Sequence, residues 1–315
     1  MKIFLILILL ALSSCAHRKD AFIGDFVYPD DFYRGFVYNR TTHQLNEQSS
    51  FEVVIGKNGW LYEGHDLNAT YRRSFFSEPE LIQKSLFFKG LKRYADSKGI
   101  KIIFFIPPTT PSIHPEYLPK GIKISDTTSV DQLYRYLKEN SIIDVVYPKE
   151  AFLKEKWNYT LYYKTDSHWT EIGAFFGVRE LMAHASKWFP IVQHNFEDYR
   201  VVNRRSFGGP LTKALNIEHF YIEDQINLEP QFKLKVQSSP LKVLIIHDSY
   251  YYAAQKFIRE NFEVITKHLK RDGIRGASQD ETINNVIAQM DATKPDIVIL
   301  WLCERGYEML IGKNK

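Results

Sequence analysis

The stretch Lys242-Val-Leu-Ile-Ile-His-Asp-Ser249 joins a run of four aliphatic residues to three polar ones. A short aliphatic run bounded by polar residues is typical of a strand that is buried on both faces of a parallel sheet. A helix is predicted to follow directly, from about Tyr250 to Asn261. In a sheet built from such units, the polar residues lie at the carboxyl end of the strand, where functional sites of α/β folds collect.

The same alternation of short apolar runs and helical patterns recurs along the chain. It predicts a mainly parallel sheet with helices on both faces, which is a three-layer α/β/α sandwich. Asn58-Gly59 between two apolar pieces predicts a hairpin, and residues 190–240 are expected to form loops and short strands. The predicted helices are 77–97, 129–140, 170–188, 250–261 and 278–291, and the predicted strands are 101–106, 142–146, 242–246, 262–265 and 296–302.

The first twenty residues have the layout of an export signal. Lys2 precedes the apolar run 3–12, which is too short to span a bilayer as a helix, and Leu12-Ser-Ser-Cys15 follows. This order resembles a bacterial lipobox, in which Cys15 carries the lipid anchor; the alternative is an ordinary secretory signal that contains a cysteine. We predict a lipoprotein signal peptide at 1–14, a tether and N-terminal wrapping at 15–50, one α/β domain at 51–307 and a tail at 308–315.

Composition narrows the possible classes of function. The chain has 41 Lys and Arg against 37 Asp and Glu, and this weak basic bias supports neither nucleic-acid binding nor a polybasic membrane patch. No CxxC or HExxH pattern occurs, so no metal and no other cofactor is predicted. Cys303 lies beside an apolar run and is predicted to be a buried thiol.

Two residues of Tyr162-Tyr-Lys-Thr-Asp-Ser-His-Trp-Thr-Glu171 are suited to acid–base chemistry. Asp166 and His168 are two positions apart, so in an extended segment both side chains fall on one side and the carboxylate can orient the imidazole. A general base requires an imidazole held in this way, with its second nitrogen free. The alternative is a capped helix start beside a packed loop histidine.

A nucleophile for that base is predicted at Ser249. A serine at a strand-to-helix turn projects its hydroxyl above the sheet edge, beside helix amides that can stabilise an oxyanion. The alternative is that Asp248 or Ser249 only caps the helix. Ser249, His168 and Asp166 together have the residue types of an acyl-transfer triad, whose order in the chain is irrelevant to its geometry. His247 is a rival base, but at the strand end it is poorly placed to reach the Ser249 hydroxyl.

Several motifs in a fixed order carry a family resemblance. The most specific is Asp166-Ser-His-Trp169 followed by Gly173, with Asp248-Ser249 after an apolar strand. These motifs resemble the alginate O-acetyltransferase family, whose AlgX/AlgJ-like domain is similar to SGNH hydrolases, over residues 51 to about 307. Three further stretches agree with that family: Gly56-Lys-Asn-Gly-Trp-Leu-Tyr62, Ile106-Pro-Pro with His114-Pro-Glu-Tyr-Leu-Pro119, and Lys294-Pro-Asp-Ile-Val-Ile-Leu300 with Glu304-Arg305.

The resemblance implies an SGNH-hydrolase-like α/β/α sandwich and assigns roles to the site residues. Ser249 would be the acyl-accepting nucleophile, His168 the general base and then acid, and Asp166 the group that orients His168. The implied activity is transfer of acetyl groups to a polysaccharide acceptor in the periplasm. The implied donor system is a separate membrane-bound acyltransferase.

The sequence departs from the family pattern at two places. His247 stands where the family usually has glycine before Asp-Ser; the turn loses glycine's freedom, which calls the oxyanion arrangement into question. Thr109 or Thr110 replaces an expected lysine. Arg305 is left outside the catalytic set, because a structural ion pair with a nearby acid explains it equally well.

Three functions are compatible with these residues. The leading hypothesis is a lipid-anchored O-acetyltransferase of the bacterial cell envelope that acts on a polysaccharide. A carbohydrate or lipid esterase would use the same triad with water as the acceptor. A non-catalytic polysaccharide-binding or assembly protein is the third, and the departure at His247 keeps it open. Catalysis requires the Ser249 hydroxyl to lie within hydrogen-bond distance of His168, and His168 of Asp166.

Overall fold

A computed structural model describes residues 38–39, 44–45, 53–71, 76–119, 122, 125–215, 217–235 and 241–307. The predicted leader at 1–14, the predicted lipidation site Cys15 and the predicted tail at 308–315 lie outside the described residues. So does most of the predicted tether at 15–50.

The secondary structure of the described residues alternates between strands and helices. The strands are β1 (Tyr38–Asn39), β2 (Gln44–Leu45), β3 (Val53–Ile55), β4 (Leu61–Glu63), β5 (Lys101–Phe105), β6 (Asp144–Val146), β7 (Tyr199–Phe207), β8 (Ile222–Pro230), β9 (Leu241–His247), β10 (Phe262–His268) and β11 (Ile297–Trp301). The helices are α1 (Gly64–Tyr71), α2 (Glu78–Ser97), α3 (Thr110–Ile113), α4 (Ser129–Glu139), α5 (Lys149–Glu155), α6 (Glu171–Ala185), α7 (Pro210–Ala214), α8 (Gln255–Ile258) and α9 (Gln279–Thr293).

Five strands form a central sheet in the order β10-β9-β11-β5-β6, and all neighbouring pairs are parallel. Because successive side chains of a strand point to opposite faces, Ile103 and Phe105 of β5 enter one core and Ile102 and Phe104 enter the other. Helix α6 covers the first face, and α2, α4 and α9 cover the second. The predicted α/β/α class and the mainly parallel sheet are therefore confirmed.

The hairpin predicted at Asn58-Gly59 joins β3 to β4, which pair antiparallel. Both residues have positive φ, 54° for Asn58 and 78° for Gly59. Asparagine and glycine tolerate this left-handed backbone better than other residues, which is why the dipeptide favours such turns. A Cβ at Gly59 would also lie 2.2 Å from the hydroxyl of Tyr221, so the turn is packed closely against the rest of the fold.

The prediction of loops and short strands for residues 190–240 is wrong in one important respect. Strands β7 and β8 are nine residues long each and form an antiparallel two-stranded ribbon. Most of the β7 side chains are exposed, and charged residues occupy both of its faces, so the sequence lacks the period-two alternation that announces a half-buried strand.

The predicted helix from Tyr250 to Asn261 is also wrong. Residues Ser249–Tyr251 form a single 3₁₀ turn, and the helix that follows, α8, has four residues. The backbone carbonyl of Tyr250 accepts a hydrogen bond from the Trp169 indole Nε1–H at 2.9 Å. Beyond this turn, backbone N–H groups bond three residues back, from Ala254 to the Tyr251 carbonyl at 2.9 Å and from Phe257 to the Ala254 carbonyl at 3.1 Å, so a continuous α-helix does not form.

No helix within the described residues combines the length and the apolar character that a membrane-crossing helix needs.

Candidate functional site

The candidate site lies at the carboxyl edge of the central sheet. Ser249 is two residues beyond the end of β9, the strand that lies between β10 and β11. The segment 162–170 reaches the same edge from the start of α6, and Tyr162 and Trp169 form an antiparallel bridge across it. Two stretches about eighty residues apart in the chain thus meet where the strands end.

The structure brings Ser249, His168 and Asp166 together in one hydrogen-bonded row. The Nε2 atom of His168 lies 2.8 Å from the Ser249 Oγ, and its Nδ1 lies 2.7 Å from the Asp166 Oδ1. The carboxylate accepts a hydrogen bond from the Nδ1–H, which leaves Nε2 as the acceptor for the serine hydroxyl. The three side chains thus have the geometry of a nucleophile, a base and the group that orients the base.

Two hydrogen bonds connect the histidine segment directly to the serine turn. The Trp169 indole donates to the backbone carbonyl of Tyr250. The Tyr250 hydroxyl donates in return to the backbone carbonyl of Ser167. Trp169 and Tyr250 are both buried, so these bonds fix the distance between the two stretches.

The β7–β8 ribbon holds the other side of the histidine segment. Glu223 at the start of β8 accepts hydrogen bonds from the backbone N–H of Lys164 at 2.6 Å and of Thr165 at 3.0 Å, and another from the Thr165 hydroxyl. Sequence reasoning missed Glu223, because nothing local marks it and its partners are about sixty residues away. It positions the segment that leads into Asp166.

Of the two residues Asp248 and Ser249, the first caps the turn and the second is bonded to the candidate base. Asp248 is the cap: its Oδ1 accepts the Tyr250 N–H at 3.0 Å, and its Oδ2 accepts the Cys303 N–H at 2.8 Å. Ser249 bonds to His168 instead. At the other stretch, Thr170 caps α6, which leaves Asp166 to His168.

The environment of the pair shifts both pKa values toward the ion pair. Burial lowers the pKa of His168, but the hydrogen bond and the charge of Asp166 outweigh it, so the pKa lies above the ordinary value. Burial raises the pKa of Asp166, but the hydrogen bond from His168 reverses this and the pKa is lowered. A base with a raised pKa is a stronger proton acceptor, as removal of a serine hydroxyl proton requires.

The glycine that the family resemblance leads one to expect at position 247 is not required by the backbone of this turn. Non-glycine residues with positive φ among those described are Asn58, Ser141 and Lys294, and His247 is not one of them. The His247 side chain is buried and its Nδ1 lies 2.7 Å from the backbone oxygen of Asp248. Any residue can therefore adopt the backbone conformation of position 247. The expectation that helix N-terminal amides flank Ser249 is wrong, because a single 3₁₀ turn stands there.

Glu304, which the sequence marked only as part of the Glu304-Arg305 pair, is a buried side chain that accepts several hydrogen bonds behind the site. Its Oε2 accepts hydrogen bonds from the backbone N–H of Thr109 at 2.8 Å, from the Thr109 hydroxyl and from the Ser112 hydroxyl at 2.7 Å. Its Oε1 accepts the Tyr147 hydroxyl. The hydrogen bonds between Thr109 and Glu304 thus connect the loop after β5 to the loop after β11. Thr110 contacts the backbone oxygen of Ser167 at 3.4 Å.

Arg305 forms the structural ion pair that the sequence analysis weighed against a functional role. Its Nη1 lies 2.7 Å from the Glu63 Oε2 and 2.5 Å from the Asp66 Oδ1. Both acids are buried, and burial raises the pKa of Asp66 to about 7 although Arg305 opposes the shift. The pair ties the end of the sheet to β4 and α1.

The remaining predicted features fall into place around the site. Cys303 is a buried thiol, and burial raises its pKa. Tyr250 and Tyr251 pack inside, whereas Tyr252 is 43% exposed beside the site. Within the described part of the chain, no three His, Cys, Asp or Glu side chains are grouped so that they could hold a metal ion.

Similar folds occur in several solved structures. PatB1 of Bacillus cereus with a sulfonyl adduct has a TM-score of 0.63 at 13% identity, covering 85% of this chain and 100% of that one. The O-acetyltransferase domain of Pseudomonas putida AlgJ has a TM-score of 0.55 at 16% identity, and the match covers 84% of this chain and 93% of that one. AlgX of Pseudomonas aeruginosa has a TM-score of 0.50 at 16% identity, and the match covers 82% of this chain and 66% of that one. At these identities the likeness concerns the fold.

Sequence relatives and a family model also connect this chain to AlgJ and AlgX. The probable alginate O-acetylases AlgJ of Pseudomonas aeruginosa and Pseudomonas syringae are each 23% identical, over 173 and 142 residues. These matches cover 54% and 44% of this chain but 43% and 34% of the relatives, so the chain spans less than half of their length. The model of the SGNH hydrolase-like domain of the acetyltransferase AlgX matches residues 53–243 and ends before Ser249. The chain therefore belongs to the AlgX family of SGNH hydrolase-like acetyltransferase domains.

Proposed function

We propose that this protein is an O-acyltransferase that moves acetyl groups onto hydroxyls of an exported or cell-envelope polysaccharide, with Ser249, His168 and Asp166 as its triad. The observation that carries the proposal is the position of His168, 2.8 Å from the Ser249 hydroxyl and 2.7 Å from the Asp166 carboxylate. Its AlgJ relatives are named as probable alginate O-acetylases, which supports acetyl transfer to a polysaccharide.

The reaction divides into two half-reactions at Ser249. In the first, Ser249 Oγ attacks the acetyl carbonyl of the donor while His168 Nε2 takes the hydroxyl proton, and the proton then passes to the departing donor group. In the second, His168 removes the proton of a sugar hydroxyl, and the sugar oxygen attacks the carbonyl carbon of the acetyl–Ser249 ester. His168 then returns the proton to Ser249 Oγ as the bond between that oxygen and the acetyl carbon breaks. The products are the acetylated sugar and free Ser249. Asp166 holds the imidazole in the tautomer that both steps need.

An esterase is the second candidate, because water can reach the base. The His168 side chain retains 30% of its exposure, so the site is not closed in the absence of an acceptor. Water in place of the sugar hydroxyl would release acetate from acetyl–Ser249.

The test compares the full chain with Ser249→Ala, using a chromogenic acetyl ester with and without oligosaccharide acceptors. We expect turnover that Ser249→Ala loses, with acetylated oligosaccharide among the products by mass spectrometry. Serine-dependent release of acetate alone favours the esterase. Equal turnover by both proteins contradicts catalysis at Ser249. Ser186→Ala, which removes a hydroxyl bonded only within its own helix end, is the matched control and should behave like the parent.

The pH dependence of kcat/KM should report the raised pKa of His168. The base acts in its neutral form, so kcat/KM should rise with pH through an apparent pKa above the ordinary value of about 6.5. In Asp166→Asn the burial remains but the stabilising charge is gone, so the rise should move to lower pH while the plateau falls. A rise at the same pH in both proteins would contradict the role of Asp166.

We also propose that the protein is a lipoprotein of the bacterial cell envelope, anchored at Cys15 to the membrane and facing the periplasm. A membrane-bound acyltransferase would then supply the acetyl group. The lipobox-like order Leu12-Ser-Ser-Cys15 after an apolar run supports the anchor. Metabolic labelling with a radioactive fatty acid should mark the parent and not Cys15→Ser. Equal labelling of both would place the lipid elsewhere.

A further inference from the structure

His247 occupies the last position of β9 and its side chain lies inside the fold. The residue is 3% exposed, and its ring contacts the rings of Tyr251, Tyr252 and His268 with centroids 4.6, 5.5 and 5.5 Å away. Burial lowers its pKa, so the ring is neutral near pH 7. A neutral imidazole has one N–H, and the contacts of the ring decide which nitrogen carries it.

The contact of the ring with the backbone assigns that proton. His247 Nδ1 lies 2.7 Å from the carbonyl oxygen of Asp248, which has no proton to give. The proton is therefore on Nδ1 and is donated to this carbonyl. The Tyr251 N–H, which approaches the same oxygen in the 3₁₀ turn, is 3.4 Å away, so the imidazole is the nearer donor.

The peptide group that receives this hydrogen bond is the one that contains the Ser249 N–H. A peptide unit is planar, so a donor that fixes the Asp248 carbonyl also fixes the direction of the Ser249 N–H. The carboxylate of Asp248 is held as well, by the N–H groups of Tyr250 and Cys303. The Ser249 N–H donates no hydrogen bond to any of the described residues. This N–H is held in place and available.

We propose that His247 is a positioning residue for the acyl-transfer reaction: its Nδ1–H fixes and polarises the Asp248–Ser249 peptide, so that the Ser249 N–H can donate to the oxyanion. The inference rests on the proposed function. When Ser249 Oγ bonds to the acetyl carbon, the electron pair of the carbonyl double bond moves onto the oxygen. A donor oriented beforehand stabilises that charge without reorganising during the step. A hydrogen bond to the carbonyl of an amide also strengthens its N–H as a donor.

This role explains how a histidine can stand where the family usually has glycine. Glycine would leave the backbone flexible, whereas the imidazole restrains the Asp248–Ser249 peptide group through its hydrogen bond to the Asp248 carbonyl. The neighbouring titratable groups are His268, Asp248 and Asp272. Protonation of His247 would leave the proton on Nδ1, so the positioning role does not depend on the charge of the ring.

The test is the kinetics of acetyl ester turnover by the full chain and three variants. His247→Leu removes the donor at similar volume, and His247→Asn keeps a donor that can reach the same carbonyl. Loss of a direct oxyanion donor costs about 10²–10³ in kcat, and weakening one should cost on the order of 10-fold. We expect that fall in kcat, with KM unchanged, for His247→Leu and most of the activity to return in His247→Asn. His268→Leu removes a ring that packs on His247 but makes no bond to the turn, and it should retain parental kcat.

Each result decides the inference. Equal losses in His247→Leu and His247→Asn, or a loss as large in His268→Leu, would mean that only packing matters. Parental kcat in His247→Leu, while turnover still requires Ser249, would overturn the inference and leave the proposed function intact. If Ser249→Ala turns over like the parent, both fail together. Nitrogen-15 NMR of the parent needs no folded variant: it should find the His247 proton on Nδ1, and a proton on Nε2 would overturn the inference.

Discussion

Replacing His168 by glutamine should lower kcat for acetyl ester turnover by on the order of 10⁴- to 10⁶-fold, the range found when a triad base or nucleophile is removed from serine hydrolases. Glutamine has a similar length but cannot take the proton of the Ser249 hydroxyl, which lies 2.8 Å from the imidazole. KM should change little, because the loss falls on the transition state. Steady-state kinetics and the amount of acetyl–Ser249 seen by mass spectrometry after rapid quenching measure the effect.

His184→Gln is the matched control for that substitution. His184 Nε2 lies 3.0 Å from the Asp144 Oδ1, so it also forms a histidine–carboxylate pair. It has no serine hydroxyl as a further partner, because its Nδ1 faces the amine of Lys187. His184→Gln should keep parental kcat. If His168→Gln retained more than about a tenth of the activity, the triad would be wrong.

Replacing Arg305 by leucine should reduce the free energy of unfolding by about 3–5 kcal/mol. The substitution leaves the carboxylates of Glu63 and Asp66, both buried, without the guanidinium that lies 2.7 and 2.5 Å from them. An uncompensated buried charge costs more than the ion pair itself contributes. Urea denaturation followed by tryptophan fluorescence measures the change.

The loss of unfolding free energy caused by Arg305→Leu should grow as the pH rises above about 7. Burial raises the pKa of Asp66 to about 7, well above its unfolded value, so the folded state holds this proton more tightly and stability falls as pH rises toward 7. Above that pH the parent ionises Asp66 beside the Arg305 guanidinium, whereas the variant must ionise it without that guanidinium. Asp66→Asn in the Arg305→Leu background should restore part of the stability and remove the pH dependence.

An exposed ion pair serves as the control for the Arg305→Leu substitution. Arg200 is 67% exposed and lies 2.6 Å from the Glu229 Oε2 on the β7–β8 ribbon. Surface pairs of this kind contribute about 0–1 kcal/mol, so Arg200→Leu should have little effect. If Arg305→Leu cost no more than Arg200→Leu, the two buried carboxylates would have to be satisfied by other groups.

Local pattern was sufficient for the elements whose signal does not depend on distant residues. The apolar runs 243–246 and 297–302 predicted β9 and β11, because strands buried on both faces are rich in apolar residues. Asn58-Gly59 predicted its turn because few other residues tolerate positive φ. The prediction of a helix at 250–261 was wrong in a segment that is held by distant residues, since the Tyr250 carbonyl accepts the indole N–H of Trp169, about eighty residues away in the chain.

By itself, the sequence determined the α/β class, the order along the chain of the strands of the central sheet and the residue types of the candidate site, since burial pattern and side-chain chemistry are local properties. Only the tertiary structure decided the 2.8 Å contact between His168 and Ser249, the support of the segment by Glu223 and the pairing of Arg305 with Glu63 and Asp66. Each of these contacts joins residues at least fifty-eight positions apart. Which distant partners meet is set by how the strands and helices pack together, and a linear pattern carries no record of that packing.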